Sequence, residues 1–147
     1  MKKKILFICV HNSARSQMAE AFVNQMCGNE YEAKSAGLTP GKLNPIVVEA
    51  MGKIGIDISG NATKPVFDFV KNGELFTYVI TVCSEAEAEG CPIFPGVAKR
   101  LHWPFPDPSA LQGSPEEKLA KTRKIRDMIK AQIDQWCDIG CMPEKSA

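Results

Sequence analysis

Ile5-Leu6-Phe7-Ile8-Cys9-Val10-His11-Asn12-Ser13-Ala14-Arg15-Ser16 carries the strongest fold signal in the chain. It begins as an apolar run, then Cys9 and Arg15 bracket five residues, and a helical pattern opens behind them. That order reads as strand, tight loop, helix. A loop of this kind turns successive backbone N–H groups inward, and the helix start adds partial positive charge. A tetrahedral oxyanion fits such a cradle, with Arg15 as a bidentate clamp on two of its oxygens. The same field favours a thiolate at Cys9, the form that acts as a nucleophile. Nucleophile and anion cradle therefore share one loop. The plainer alternative is a buried strand-end cysteine beside an ordinary surface arginine. The strand before the loop and the helix after it weigh against that.

Working outward, the first strand is expected over Lys4 to Cys9 and a helix over Arg15 to Cys27. Met18, Phe22 and Met26 lie four apart on one face of that helix, and Gly28 stops it. Tyr31 to Ser35 reads as a second strand, ended by Ala36-Gly37. Asn44-Pro45 opens a short helix that buries Ile46, Val47, Ala50 and Met51. Lys64 to Val70 predicts a further helical segment with Pro65 in its first turn. Phe76 to Val82 is continuously β-prone and reads as a fully buried parallel strand. Lys99 to Trp103 reads as a short edge strand. Pro104, Pro106 and Pro108 predict a stiff, non-helical loop. Ser114-Pro115-Glu116-Glu117 carries an N-cap, a proline at N1 and a capping-box glutamate. The last helix then runs to about Trp136, with Ile125, Ile129, Ile133 and Trp136 as its core stripe. Strands alternating with helices indicate a single-domain α/β fold, a doubly wound sheet of about four parallel strands. Its ligand belongs beyond the carboxyl ends of the strands, where Cys9 lies. Residues 1–137 are expected to form the domain and 138–147 a C-terminal tail.

The 147 residues suit one core, and 44% hydrophobic with 24% charged content is ordinary for a globular chain. A net charge of +1 argues against a nucleic-acid binder. Lys2-Lys3-Lys4 before an apolar stretch imitates a signal peptide. That stretch, Ile5 to Val10, is shorter than the ~7–15 residues of an h-region, and no small-residue cleavage site follows it. No segment is long enough to span a membrane, so a cytoplasmic protein is expected; a monomer is expected as well. Six cysteines in that setting argue against a structural disulfide framework. Cys9, Cys27, Cys83, Cys91, Cys137 and Cys141 also lack C-x2-C spacing, and two histidines are too few to complete a zinc site. Catalytic or redox use is the better reading for at least some of them, and neither metal nor cofactor is assigned.

Cys9 to Ser16, the Ser35-Ala36-Gly37 turn, Gly55-Ile56-Asp57-Ile58-Ser59 and Asp107-Pro108 occur in the order found in low-molecular-weight protein tyrosine phosphatases. The chain resembles that superfamily almost to Trp136. Ser16-Gln17-Met18-Ala19-Glu20 lacks the proline that usually follows the serine in the phosphatases. Thr81-Val82-Cys83, then Cys91-Pro92-Ile93-Phe94-Pro95 and His102-Trp103, make it similar to the thioredoxin-coupled arsenate reductases. The cysteine pair is the specific part, because a phosphatase has no need of it.

The resemblance implies a phosphatase-like fold and a relay of three cysteines. Arsenate, or a phosphate-like oxyanion, would be held by Val10, His11, Asn12, Ser13, Ala14, Arg15 and Ser16, and attacked by Cys9. Asp107 matches the general acid. Cys83 then attacks Cys9, arsenite leaves, and Cys91 draws the disulfide to Cys83, from which thioredoxin removes it. Glutaredoxin or a low-molecular-weight thiol is the alternative reductant. Asn12 and Ser35 match residues that hold the loop by hydrogen bonds, and Ser16 matches the hydroxyl that stabilises the thiolate. Glu20, Asn12 and Ser35 resemble part of a potassium site of some relatives, but Lys64 stands where its remaining acidic member is expected.

Two rival functions remain at this point. One is a tyrosine phosphatase using Cys9, Arg15 and Asp107 alone, and the other is a non-catalytic oxyanion or redox sensor. The Cys83/Cys91 pair speaks against the first, and the intact nucleophile, clamp and acid against the second. His11 stands where glycine is common, a position that strains histidine if φ is positive. His11 is read as loop packing ahead of a thiolate partner, and His102 and Trp103 as anchors. Cys27 is read as packing, and a second relay couple at Cys137 and Cys141 is the lesser reading of that pair. Ser84 to Glu89 is helix-prone, so a Cys83–Cys91 bond would require that segment to unwind.

Overall fold

The computed structural model describes residues 2–84 and 98–138. Four parallel strands form one sheet in the order β2-β1-β3-β4, with β1 Lys3–Cys9, β2 Tyr31–Gly37, β3 Tyr78–Thr81 and β4 Lys99–His102. Helices α1 Arg15–Met26, α2 Pro45–Gly52, α3 Val66–Lys71 and α4 Pro115–Asp138 surround it, with a 3₁₀ turn at Pro108–Ala110. Alternation along β1 explains the two layers. Ile5, Phe7 and Cys9 face a core completed by Met18, Phe22, Val47, Met51, Ile129 and Ile133. Leu6 and Ile8 face a smaller core with Val66, Phe76 and Val79. Every residue from Ile5 to Cys9 is consequently buried, the pattern of a central parallel strand. This is the expected doubly wound sheet.

Several local readings shift. β2 continues through Ala36-Gly37 because its ladder with β1 extends to the Cys9–Gly37 pair. Pro65 precedes α3 in an extended conformation instead of lying in its first turn, and it bridges to Gly37. β3 is shorter than Phe76 to Val82, although the Thr77 and Val82 N–H groups still donate to Lys4 and Ile8 of β1. Phe76 instead packs edge-on against Phe69 of α3. The proline-rich loop is not wholly non-helical: Asp107 Oδ1 accepts from Ser109 N–H at 2.9 Å and starts a 3₁₀ turn with Pro108 at its first position. The capping box is present, with Ser114 Oγ and Glu117 Oε1 each accepting the other's N–H.

The cysteine reading needs a correction. Cys27, expected to be packing, is disulfide-bonded to Cys137, which lies 110 residues away in sequence. Their Cα atoms are 6.3 Å apart because α1 and α4 pack side by side and end at the same edge of the sheet. No spacing rule detects a pair so distant in the chain. Cys91, Cys141 and nearly all of the helix-prone run after Cys83 lie outside the described residues. Among the described residues, no helix is long and apolar enough to cross a membrane.

Candidate active site

The loop between β1 and α1 is suspended by its carbonyl groups. The Cys9, Val10, His11 and Ser13 carbonyls accept from the N–H groups of Leu38 (3.1 Å), Thr39 (2.8 Å), Gly41 (3.0 Å) and Asn44 (2.9 Å). The Asn12 carbonyl accepts from Gln17 Nε2 at 3.0 Å, and that of Ala14 from Met18 N–H at 3.0 Å. Six consecutive carbonyls therefore point outward into the surrounding framework, which leaves the loop's N–H groups to face its concave side. This is the backbone arrangement of an anion nest at a helix start. Gly37 permits it: a Cβ there would lie 2.8 Å from the Asn12 nitrogen and 2.9 Å from the Val10 oxygen.

Cys9 occupies the floor, 2% exposed. Its sulfur accepts from Asn12 N–H at 3.2 Å and lies 2.9 Å from Ser16 Oγ. Asn12 Nδ2 donates to that same Oγ at 2.8 Å, which directs the hydroxyl proton toward the sulfur. Two donors thus converge on the Cys9 sulfur. Asn12 is the single non-glycine residue with positive φ (54°) among the described residues. The strained position expected at His11 thus falls one residue later, on a type that tolerates it. His11 instead turns outward, with Nδ1 2.8 Å from the Thr39 carbonyl, and does not serve the sulfur.

Arg15 is 4% exposed; Nη1 donates to the Phe105 carbonyl (3.3 Å), and Nη2 pairs with Asp107 Oδ2 at 3.6 Å. That pair brings the loop after β4 over the cradle. Asp107 keeps about a third of its side chain exposed. Cys83 is fully buried just past β3. Because Val82 N–H donates to the Ile8 carbonyl, Cys83 lies at the same carboxyl edge as Cys9. Ser35 gives its single hydroxyl proton to Glu20 (2.7 Å). Asn12 Oδ1 accepts from Lys64 N–H (2.9 Å), and the Lys64 ammonium donates to the Ala62 carbonyl (3.1 Å). No cluster of three metal-ligating side chains occurs among the described residues.

Two residues of the site escaped the sequence reading. Gln17 is fully buried, and its Nε2 lies 3.0 Å from the Asn12 carbonyl, 3.2 Å from Asn12 Oδ1 and 3.0 Å from the Ala62 carbonyl. Its Oε1 accepts from Asn61 Nδ2 at 3.0 Å. Asn44, expected as a helix start, does cap α2, but it also ties Ser13 of the loop to Ser109 of the acid-bearing turn. An uncharged amide at the start of α1 was the one available signal for Gln17. Nothing local marked the tether at Asn44.

A strand, a tight loop closing over a buried cysteine, and a helix start define the class. The profile of the family described as low molecular weight phosphotyrosine protein phosphatase matches residues 4–144, and the chain belongs to that family. It is 42% identical over 143 residues to the arsenate reductase of Bacillus subtilis (strain 168), covering 95% of this chain and 99% of that one. Among solved structures it is similar to an arsenate reductase in the phosphate-binding state, at 27% identity and TM-score 0.68, over 90% of this chain and 95% of the other. A thioredoxin-dependent arsenate reductase from Corynebacterium glutamicum is 32% identical with TM-score 0.59, over 90% of this chain and 63% of that one.

Proposed function

We propose that this protein reduces arsenate to arsenite through a Cys9 adduct and a relay of disulfides. The observation that carries the reading is Cys9 on the floor of the anion cradle, with Arg15 and Asp107 at its mouth and Cys83 buried at the same sheet edge. The full-length similarity to arsenate reductases supports arsenate as the oxyanion.

The loop N–H groups and Arg15 bind the oxyanion and neutralise its charge. Cys9 Sγ attacks arsenic, forming an S–As bond, while Asp107 gives its proton to the departing oxygen, which leaves as water. The Cys83 thiolate then attacks Cys9 Sγ. The S–As bonding pair passes to arsenic, which falls from the pentavalent to the trivalent state and leaves as arsenite. A Cys9–Cys83 disulfide stays behind. Cys91 attacks Cys83, releases Cys9, and leaves a Cys83–Cys91 disulfide for an external dithiol. Thioredoxin is the proposed reductant, supported by the thioredoxin-dependent relative. The setting is cytoplasmic, where such a reductant is available.

Variants separate the roles. Cys9→Ser abolishes arsenate reduction and hydrolysis of an aryl phosphate alike. Cys83→Ser removes reduction but retains slow aryl phosphate hydrolysis, which needs only Cys9, Arg15 and Asp107. Asp107→Asn slows the step that expels oxygen by roughly 10²–10⁴-fold. Steady-state assays with thioredoxin, glutaredoxin and a small thiol offered separately test reaction and reductant together. Normal arsenate turnover by Cys83→Ser would sink the relay.

A further inference from the structure

We propose that Cys27 and Cys137 form a second redox site, a disulfide opened and closed in the folded protein by a low-molecular-weight thiol/disulfide couple. Its closed form fastens the end of α4 to the end of α1. The two residues are brought together by contacts that do not depend on the bond. Cys27 terminates α1: its N–H donates to the Val23 carbonyl at 2.8 Å, and its own carbonyl accepts from Glu30 (3.1 Å) and Tyr31 (3.0 Å). The backbone carrying one sulfur is therefore fixed by a helix end and by the first residue of β2.

The other sulfur is positioned by its neighbour. Trp136 is buried and meets Tyr31, Tyr78 and Trp103 edge-on at 6.1, 5.1 and 5.4 Å. These rings hold the last turn of α4 against the sheet. The Cα separation of 6.3 Å lies inside the window of roughly 4.4–6.8 Å that a disulfide requires. Opening the bond thus leaves both ends in place, ready to close again. Both cysteines are only half-buried, within reach of a small thiol.

This site is separate from the catalytic cysteines. Cys9 lies before the start of α1 and Cys27 after its end, so the twelve-residue helix holds them about 18 Å apart. Thiol–disulfide exchange needs sulfurs in contact, so the pair must exchange with a molecule from solution. The chemistry balances with a small disulfide RSSR as oxidant. One cysteine thiolate attacks it and expels RS⁻, giving a mixed disulfide. The second cysteine then attacks the protein sulfur, forms Cys27–Cys137 and expels the second RS⁻. RSSR gains the two electrons that the cysteines lose, and their two protons go to solvent or to the released thiolates. Reduction by two RSH is the reverse.

The closed bond spans 110 residues of chain and so removes much conformational freedom from the unfolded state. On the function proposed above, each arsenate consumes two thiol equivalents. A falling supply of thiols would then close the bond and stabilise the enzyme when reductant is short.

The test uses full-length protein with Cys83→Ser as background, so that the relay contributes no disulfide of its own. It is equilibrated in glutathione buffers from fully reduced to fully oxidised, alkylated, mapped by peptide mass and melted in parallel. A Cys27–Cys137 cross-linked peptide is expected in the oxidised buffers and both residues alkylated in the reduced ones, with native circular dichroism throughout. The melting temperature should fall by on the order of 10 °C on reduction. Adding Cys27→Ser, or separately Cys137→Ser, should remove that redox dependence. Cysteines that stay alkylatable in oxidised buffer, a bond that persists in reduced buffer while the fold is intact, or an unchanged redox dependence in both variants would each overturn the proposal. None of these readouts requires arsenate, so failure here and failure of the reductase reading are distinguishable.

Discussion

The two ends of α1 solve opposite problems. At its start, buried polar groups crowd around Cys9: Asn12, Ser16 and Gln17 are all fully buried, and each is held by several hydrogen bonds. At its end, Cys27 sits beside an aromatic cluster of Tyr31, Tyr78 and Trp136. Polar networks fix direction, because each bond needs its own angle and an unmet partner is costly. Aromatic contacts fix position through area and tolerate small rotations. The chain thus places directional bonds around Cys9 and bulk packing where only the fold must be held.

Trp136→Ala should break that division most forcefully on the stability side. Removing a buried indole from the cluster should cost about 3–5 kcal/mol in denaturant unfolding. The rate per folded molecule should stay at the parent value, since Trp136 forms no hydrogen bond to Cys9 or its donors. A matching loss of catalytic rate in the cold would show that the two ends are coupled.

Gln17→Ala attacks the other end. It leaves the Asn12 carbonyl and the Asn61 amide short of a partner and the Ala62 carbonyl with Lys64 alone, a loss of roughly 1–3 kcal/mol. Because Gln17 holds Asn12 in its left-handed conformation, the donors to Cys9 should drift as well. Iodoacetamide should then alkylate Cys9 more slowly, because the hydrogen bonds that orient its sulfur are lost. A stability loss with normal alkylation would reduce Gln17 to a packing role.

The smallest effect belongs to Glu74, at the rim opposite the cradle, where its Oε2 accepts from Lys4 (2.8 Å) and Lys34 (2.9 Å). Burial pushes its carboxyl up, but hydrogen bonds and charge from the two lysines outweigh this and hold it below the ordinary value. A depressed folded-state carboxyl adds stability above its unfolded value, and that stability is lost as pH falls through the folded one. Glu74→Gln should cost about 0.5 kcal/mol at pH 7, since solvent screens the pairs. The gap between parent and variant should close below about pH 4 in pH-dependent unfolding.

The sheet was legible because its signals are local and repeated. An apolar run ending in Cys9 fixes a central strand, and Ser114 with Glu117 fixes the start of α4. Boundaries slipped where a tertiary contact competed with propensity. Pro65 was drawn into a bridge with Gly37, Phe76 turned to pack on Phe69, and Asp107 used its own side chain to begin a 3₁₀ turn. At the candidate site, the convergence of Cys9, Arg15 and Asp107 was legible because residue type and order single them out. Gln17 and Asn44 were not, because an amide's role depends on which carbonyls surround it.

Local sequence was enough for the parallel α/β sheet and for the tight loop at its edge, since a hydrophobic strand, a C-x5-R spacing and a helix start all lie within a dozen or so consecutive residues. Tertiary structure alone decided that Cys27 meets Cys137, that Asn12 takes the left-handed conformation, and that six loop carbonyls point outward. Each of these depends on groups from distant segments arriving together, and periodicity within one segment carries no information about which other segment will face it.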